Sequence, residues 1–375
     1  MLESLTTAKR IVIKIGSSLL VDPTTGKVRQ PWFKSLIADV VRCYQAGQEV
    51  ILVSSGSIAL GRRYLNMTNS PLQLEQKQAA AAVGQIQLAH AYQEALAQHQ
   101  IIVAQVLLTL DDSENRRRYI NAKNTLENLL AARVIPVINE NDTIATAEIR
   151  FGDNDRLAAR VAQMVSADIL VLLSDIDGLY TADPRKNPQA QFLPEIKELT
   201  PEILAMAGDP GSMYGSGGMV TKLAAAKIAL ASGCKMVIAL GTHQHPISSI
   251  NNANRQTWFI PHTTPTRARK NWIAHHLKPL GALMIDDGAL AALKQGKSLL
   301  SVGIQAIQGE FQKGDAVRIL NAAQQEVARG LINYTAAEAR KIMGYKSTEF
   351  ANILGYSGCE SVVHRNDLVL HEFNL

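Results

Sequence analysis

Residues 133–156 read RVIPVINENDTIATAEIRFGDNDR, and this stretch predicts how the chain folds around a site. It begins with apolar residues typical of a buried strand and turns polar at residues 139–142. A second polar cluster, 153–155, precedes a segment, 157–165, that has the apolar spacing of a helix. Open α/β sheets place ligand-binding groups beyond the carboxyl ends of their strands. Two solvated loops would also explain these residues, but two polar clusters so close together favour a binding site.

The rest of the chain repeats the alternation of apolar strands and helices. Strands are predicted at 10–15, 49–53, 101–108, 134–138, 168–173 and 236–240, and helices at 31–46, 72–98, 119–132 and 219–232. Strands that are apolar throughout and alternate with helices indicate an α/β fold with a mostly parallel sheet covered on both faces. Pro136 removes a backbone donor, so its strand is expected to be irregular or to lie at an edge.

The length of 375 residues exceeds the size at which one core usually stops growing, so two domains are expected. From about residue 251 the pattern changes, and 263–270 is polar and contains proline, as in a linker or a surface loop. Beyond residue 278 the segments are short and rich in glycine, which indicates a small, mainly β domain. We therefore predict a catalytic domain at 1–265, a linker at 266–278 and a second domain at 279–375.

Composition indicates a soluble, cytoplasmic protein without membrane association. The 38 Lys and Arg residues against 33 Asp and Glu residues favour anionic ligands only weakly. The three cysteines form no disulfide framework and no zinc spacing, which suits a reducing compartment. The first ten residues lack the apolar core of a signal peptide, and no apolar run is long enough to cross a bilayer.

Small or polar residues follow several of the predicted strands, at 16–18, 54–57, 139–142 and 174–175. Glycines there would let backbone N–H groups approach phosphate oxygens. The most glycine-rich segment, YGSGGMVTK at 214–222, matches neither the Walker loop nor the dinucleotide-binding pattern. Its spacing alone leaves a phosphate-binding loop and a flexible loop before an ordinary helix equally open.

The charged and potential metal-ligating residues form no recognisable metal site in the sequence. Lys14 lies inside an apolar run, and an edge-strand lysine that extends to water is one explanation. The histidines lack a cysteine or a carboxylate at ligand spacing, so no metal site built on histidine is predicted. Residues 175–178 (DIDG) resemble part of a calcium-binding loop, but the terminal glutamate is missing.

Several of these segments together resemble the amino-acid kinase family with a C-terminal PUA domain. The segments are VIKIGSSLL (12–20), VSSGSIALG (53–61), KQAAAAVGQ (77–85), NENDTIATAEI (139–149), GDND (152–155), LLSDIDGLYTADPR (172–185), GSGGMVTK (215–222) and ILGY (353–356). The pair NENDTIATAEI and GDND is similar to the members that act on glutamate. Carbamate, acetylglutamate, aspartate and uridylate kinases carry other residues there.

The resemblance implies ATP-dependent phosphorylation of the γ-carboxylate of L-glutamate to glutamyl 5-phosphate, the first step of proline biosynthesis. Mg²⁺ would be held largely by the oxygens of ATP. By similarity, the catalytic residues would be Lys14, Lys222 and Asp155, with the aspartate orienting the two lysines. The residues that would bind glutamate are Ser55, Asp142, Asn154, Asn139 and Asp153. The residues that would bind the nucleotide are Lys14, Ser174, Asp175, Ser216, Gly217, Gly218, Met219, Val220, Thr221 and Lys222.

The resemblance also implies a homo-oligomer, a dimer or a tetramer, with proline as a feedback inhibitor. RNA binding by the PUA domain is not expected, because its basic excess is small and analogy of fold is a weak argument. Two other functions stay open at this point. One is a kinase for another small carboxylate or carbamate, and the other is an RNA-binding protein with a vestigial kinase-like half.

Overall fold

The computed structural model describes residues 5–67, 71–145, 153–206, 218–251, 254–275 and 277–371, with the backbone alone at 153, 251 and 275. The chain divides into two compact units, Met1–Pro265 and Thr266–Leu375. No helix in these described ranges has the length and apolar character needed to span a bilayer.

The first unit alternates helices and strands. Its helices are α1 (Ser17–Leu20), α2 (Gln30–Gln45), α3 (Ser57–Tyr64), α4 (Leu74–Ala97), α5 (Leu110–Glu114), α6 (Arg116–Ala131), α7 (Asp153–Met164), α8 (Pro201–Ala205) and α9 (Met219–Ala231). Its strands are β1 (Arg10–Ile15), β2 (Glu49–Ser54), β3 (Val103–Leu108), β4 (Ile135–Glu140), β5 (Ile169–Ser174), β6 (Leu179–Tyr180), β7 (Phe192–Leu193), β8 (Glu195–Ile196), β9 (Lys235–Leu240) and β10 (Gln256–Phe259). Short 3₁₀ turns occupy Leu5–Thr7 and Ser248–Asn251.

Within the described residues, eight of these strands form one sheet in the order β3-β4-β2-β1-β5-β9-β10-β8. The six predicted strands are all present and pair in parallel. Strands β8 and β10 were not predicted, and β10 runs antiparallel to β9. The predicted α/β fold class with a mostly parallel sheet is confirmed. The two missed strands span two and four residues, too short for a recognisable pattern.

Strand β1 is central and is covered on both faces. Ile11, Ile13 and Ile15 pack with α2 and α4. Val12 points to the other face, which packs with α6, α7 and α9. Because side chains alternate along a strand, Lys14 shares the face of Val12 and therefore lies on the side of α7 and α9. The interpretation of Lys14 as an edge-strand lysine is wrong, since β1 lies between β2 and β5.

Of the two alternatives for the strand of Pro136, an irregular strand or an edge position, the edge position is wrong. Strand β4 lies between β3 and β2. The N–H of Ile135 donates to Ile102 O on the β3 side at 2.9 Å, so the next residue, Pro136, faces β2. Pairing with β2 begins only at Val137. The proline thus occupies a position of this inner strand that precedes the pairing with β2, where the missing donor costs no ladder bond.

The second unit contains α10 (Pro265–His275), α11 (Asp287–Lys294), α12 (Ala336–Ile342), α13 (Phe350–Leu354), β11 (Gly281–Ile285), β12 (Ile304–Gly309), β13 (Ala316–Leu320), β14 (Glu326–Ile332) and β15 (Val363–Leu370). Its sheet has the order β12-β11-β13-β14-β15, in which only β11 and β13 pair in parallel. The two 3₁₀ turns are Ser301–Gly303 and Ser347–Glu349. A separate apolar core lies under this sheet, so the prediction of a small, mainly β domain is confirmed.

The segment predicted as a linker is largely helical. Helix α10 covers most of it, and Arg269 Nε donates to Asp367 Oδ1 of β15 at 2.7 Å. Arg329 of β14 donates to the carbonyl oxygen of Ala274 at 2.8 Å. These bonds attach α10 to the sheet of the second unit.

Candidate active site

Two lysines and one aspartate form a buried ion cluster beyond the middle of the large sheet. Lys14 Nζ lies 2.6 Å from Asp155 Oδ1, and Lys222 Nζ lies 3.4 Å from Asp155 Oδ2. The three residues Lys14, Lys222 and Asp155 are 7%, 6% and 0% exposed respectively. They come from β1, α9 and α7, which is why residues far apart in the sequence meet here.

Asp155 is held ionised by its two partners. Burial by itself would raise its pKa, but the charges of Lys14 and Lys222 and a hydrogen bond from Thr221 outweigh burial and lower the pKa below its usual value. Among the described side chains, the cluster therefore has two ammonium groups around one carboxylate. The excess positive charge favours an anion such as a phosphate beside the two ammonium groups.

The first turn of α9 completes this part of the site. Thr221 Oγ1 donates to Asp155 Oδ2 at 2.9 Å and lies 2.9 Å from the carbonyl oxygen of Gly218. Met219 and Val220 occupy the same turn, and Val220 is exposed. Ser216 and Gly217, which were predicted to bind the nucleotide, lie outside the described residues. Thr221 thus connects the start of α9 to the buried carboxylate.

A second group of polar side chains lies next to the ion cluster. Asn154 Nδ2 donates to Ser55 Oγ at 2.7 Å and to Asn139 Oδ1 at 3.1 Å. Asn139 Nδ2 donates to Gln85 Oε1 at 2.7 Å and lies 3.3 Å from Ser57 Oγ. These bonds join the ends of β2 and β4 to helices α3, α4 and α7 in one network.

Asp142 lies at the end of this network, and no cationic side chain contacts it among the described residues. Its Oδ2 accepts from Ser57 Oγ at 3.3 Å, and no ion pair to it occurs within the described part of the chain. Burial raises its pKa from 3.8 to about 6, and the bond from Ser57 only partly offsets this. A carboxylate that is 7% exposed and lacks a counter-ion is the place where a ligand's ammonium group would be stabilised.

Helix α7 joins the two groups at its first turn. Asp155 faces the lysines, and the preceding residue, Asn154, faces Ser55 and Asn139. The side chain of Asp153, predicted to bind the substrate, lies outside the described residues. Two consecutive side chains therefore contact the cationic part and the polar part of one site.

Glycines fix the position of Ser57 and Gln85. Gly56 has φ of 116°, a left-handed conformation that separates Ser55 from Ser57 at the start of α3. A methyl group at Gly84 of α4 would overlap the carbonyl oxygen of Ser57, and one at Gly61 of α3 would overlap that of Ala80. The backbones of α3 and α4 therefore touch, and this contact brings Gln85 to Asn139.

Ser174 and Asp175 end the neighbouring strand β5. Ser174 Oγ donates to Asp175 Oδ1 at 3.1 Å, and Ser174 O accepts from the N–H of Gly241 at 2.7 Å. Ser174 is buried and Asp175 is exposed. Both lie at the same edge of the sheet as Lys14, because Leu173 is opposite Ile15. The described atoms show no bond from either residue to the ion cluster.

The chain offers little to a divalent cation at this site. No group of three or more His, Cys, Asp or Glu residues that could hold a metal occurs among the described residues. The two oxygens of Asp155 face Lys14, Lys222 and Thr221. Donors for Mg²⁺ would thus come mainly from the phosphates of a bound nucleotide.

Ser57 and Gln85 are the site residues that the sequence did not single out. Gln85 is a polar residue in an Ala-rich helix, directly after a glycine, and it ends the segment KQAAAAVGQ. Its burial could not be read from that pattern. Ser57 follows a small-residue turn in which only Ser55 was singled out.

Residues 9–240 match the amino acid kinase family, and residues 281–354 match the PUA domain. The match covers more than half of the chain and includes every element that carries the two polar groups. The chain belongs to the amino acid kinase family.

Two of its curated relatives are glutamate 5-kinases. That of Paramagnetospirillum magneticum is 61% identical over 98% of this chain and 99% of its own length. The enzyme of Rhodospirillum rubrum is 56% identical over 96% of each chain. These matches confirm the resemblance drawn from the motifs and the expectation that the chain is a kinase.

Among solved structures, the carbamate kinase from Giardia lamblia bound to AMP-PNP covers 68% of this chain and 100% of its own, at 18% identity and a TM-score of 0.48. That likeness is too low to add to the assignment.

Proposed function

We propose that the chain transfers the γ-phosphoryl group of ATP to the γ-carboxylate of L-glutamate. The observation that carries the proposal is the pair of consecutive side chains at the start of α7, Asn154 and Asp155, which contact a network of polar side chains and a dilysine cluster respectively. A phosphoryl transfer needs these two environments side by side, one for the acceptor and one for the phosphates.

The acceptor pocket suits a small amino acid. The carboxylate of Asp142 would hold the α-ammonium group, and the hydroxyl of Ser55 and the amide of Asn154 would contact the carboxylates. The γ-carboxylate of glutamate is already ionised at neutral pH, so no general base is required. This explains why the described site contains no histidine beside the lysines.

In the transfer step, an oxygen of the γ-carboxylate attacks the γ-phosphorus of ATP. The bond between that phosphorus and the oxygen bridging to the β-phosphate breaks, and ADP leaves with the bonding electrons. Lys14 and Lys222 would neutralise the charge on the transferred group and on the β-phosphate. Asp155 would keep both ammonium groups in place, and Thr221 would fix the orientation of its carboxylate.

Mg²⁺, held mainly by the phosphate oxygens, would supply further charge neutralisation. Ser174, Asp175 and the segment that ends at Lys222 would contact the nucleotide. Residues 1–265 would form the catalytic domain and 279–375 the PUA domain. We propose in addition a cytoplasmic homo-oligomer that catalyses the first step of proline biosynthesis and is inhibited by proline, as the resemblance implies.

A substrate panel tests the proposal. ADP release would be measured with glutamate, aspartate, N-acetylglutamate and carbamate, each with and without proline. We expect glutamate to give the highest kcat/KM, because Asp142 selects a free ammonium group that N-acetylglutamate and carbamate lack. A higher kcat/KM with any other compound would refute the assignment.

A further inference from the structure

Gln85 carries a hydrogen-bond donor that has no acceptor among the described residues. The residue is 9% exposed, and its Nε2 has no hydrogen-bond partner in the described part of the chain. A buried amide N–H₂ group without an acceptor destabilises the folded chain, so native proteins rarely keep one without a reason.

The direction of the amides follows from the network itself. Ser57 Oγ donates to Asp142 Oδ2, so the Asn139 atom that faces Ser57 is the donor Nδ2, and this atom also donates to Gln85. Gln85 must accept that bond with Oε1, and its Nε2 is therefore directed away from Asn139. A ligand acceptor is the group that would complete the network.

The position of Gln85 identifies which acceptor this is. Asn139 Nδ2 contacts both Gln85 Oε1 and Ser57 Oγ, and Ser57 in turn donates to Asp142. Gln85 is therefore grouped with the carboxylate proposed to hold the α-ammonium, and the ion cluster lies at the other end of the network beyond Asn154. The substrate's α-carboxylate is attached to the same carbon atom as its α-ammonium.

We propose that Gln85 Nε2 donates a hydrogen bond to the α-carboxylate of the amino-acid substrate and so determines specificity. This inference rests on the proposed function of the site. It assigns Gln85 the task of selecting substrates with a free α-carboxylate, whereas Asp142 selects the free ammonium group. A hydrogen bond to an ionised carboxylate is stronger than one to a neutral amide. The preference for a free α-carboxylate over an α-amide should therefore be large.

The test is Gln85→Glu, with glutamate compared with its α-amide. The α-amide keeps the ammonium group and the γ-carboxylate and replaces only the α-carboxylate. The variant keeps an oxygen that accepts from Asn139 and replaces the donor by a second oxygen. We expect the ratio of kcat/KM for glutamate to kcat/KM for the α-amide to fall on the order of 10- to 100-fold. The fall should deepen as the pH rises and the new carboxyl ionises.

Gln93→Glu is the matched control, because it makes the same change at an exposed position of the same helix. For this variant, the ratio of kcat/KM for glutamate to kcat/KM for the α-amide should equal that of the unmodified chain. If thermal melting shows that Gln85→Glu does not fold, Gln85→Met replaces it in the test. It removes the donor without adding a charge, and the ratio should fall by a smaller factor.

If the ratio is unchanged while both substrates lose activity equally, Gln85 only supports Asn139 and the inference is overturned. That outcome leaves the proposed function intact, provided that the unmodified chain phosphorylates glutamate in the same assay. Absence of glutamate turnover by the unmodified chain would instead refute the proposed function.

Discussion

At the scale of single residues, the fully buried Asp155 contacts two ammonium groups from different elements of the fold. Removing a partner from a buried ion pair leaves an uncompensated charge and costs about 3–5 kcal/mol. Asp155 keeps one partner after the loss of either lysine, so single lysine variants should fold. The effect of such a variant on the reaction can then be measured separately from its effect on stability.

Lys222→Met should lower kcat about 100- to 1,000-fold, the usual effect of removing one group that stabilises transition-state charge. KM for glutamate should change much less, because the acceptor pocket is separate from the lysines. Steady-state kinetics with both substrates varied would measure this. Lys227→Met, on the exposed side of the same helix, is the matched control and should leave kcat unchanged. An unchanged kcat in Lys222→Met would remove this lysine from the mechanism.

The raised pKa of Asp142 predicts that substrate binding depends on pH. Burial raises its pKa to about 6 in the empty protein, and only the ionised form attracts an ammonium group. As the pH falls through about 6, kcat/KM for glutamate should therefore fall, approaching tenfold per pH unit. The measurement is a profile from pH 5 to pH 8 with saturating ATP. Asp142→Asn should have a high KM for glutamate throughout and lack this inflection, and a rise confined to KM for ATP would show that the subsites are exchanged.

At the scale of secondary-structure elements, the contact between α3 and α4 decides the shape of the acceptor pocket. Each helix contributes a glycine where the other backbone passes, Gly61 and Gly84. Ser57 begins one helix and Gln85 follows the glycine of the other. A change in the separation of the helices would move both polar side chains relative to Asn139.

Gly84→Ala has two effects of opposite sign on the stability of the protein. Helix propensity alone would stabilise α4 by about 1 kcal/mol. The methyl group would overlap the carbonyl oxygen of Ser57, and we expect net destabilisation of roughly 1–3 kcal/mol with a higher KM for glutamate. Chemical denaturation and kinetics would measure the two effects. Ala82→Gly, at an exposed position of α4, should cost about 1 kcal/mol without changing KM. A more stable Gly84→Ala protein would contradict the close contact.

The six long strands could be identified from the sequence because they are mainly apolar. The position of each strand within the sheet could not be read from the sequence, as Lys14 and Pro136 show. Each looked like an edge residue from local rules, and each lies in an inner strand. Lys14 is tolerated because Asp155 comes from a helix 141 positions later, and Pro136 because pairing with β2 starts one residue beyond it. Both reasons depend on which elements become neighbours, which local patterns do not specify.

The residues of the site divide in the same way. Clusters of carboxylates and amides at strand ends pointed to Asn139, Asp142, Asn154 and Asp155. Gln85 and Ser57 were missed because their roles arise from a contact between two helices. A buried glutamine in an Ala-rich helix has no signature until its neighbours are known.

At the scale of the whole molecule, the chain consists of two units, each with an apolar core of its own. Every described residue of the two polar groups belongs to the first unit. Ligand binding should therefore order the first unit without changing the second.

Hydrogen exchange on the full chain tests this expectation. With glutamate and a non-hydrolysable ATP analogue, backbone exchange should slow at residues 53–57, 139–142, 153–155 and 218–222. Exchange in strands β11–β15 should stay the same, which makes the second sheet an internal control. Slower exchange in that sheet would show that ligand binding in the first unit is coupled to the second.

The lone carboxylate of Asp142 has a consequence for the lifetime of the protein in a cell. An acid group kept from water with no counter-ion among the described residues weakens the empty chain, and the ammonium group of the proposed amino-acid substrate would provide a positive charge. Occupied molecules should therefore open less often than vacant ones and resist proteases for longer. Scarcity of the amino acid would then reduce both the rate of the reaction and the number of molecules that survive to catalyse it.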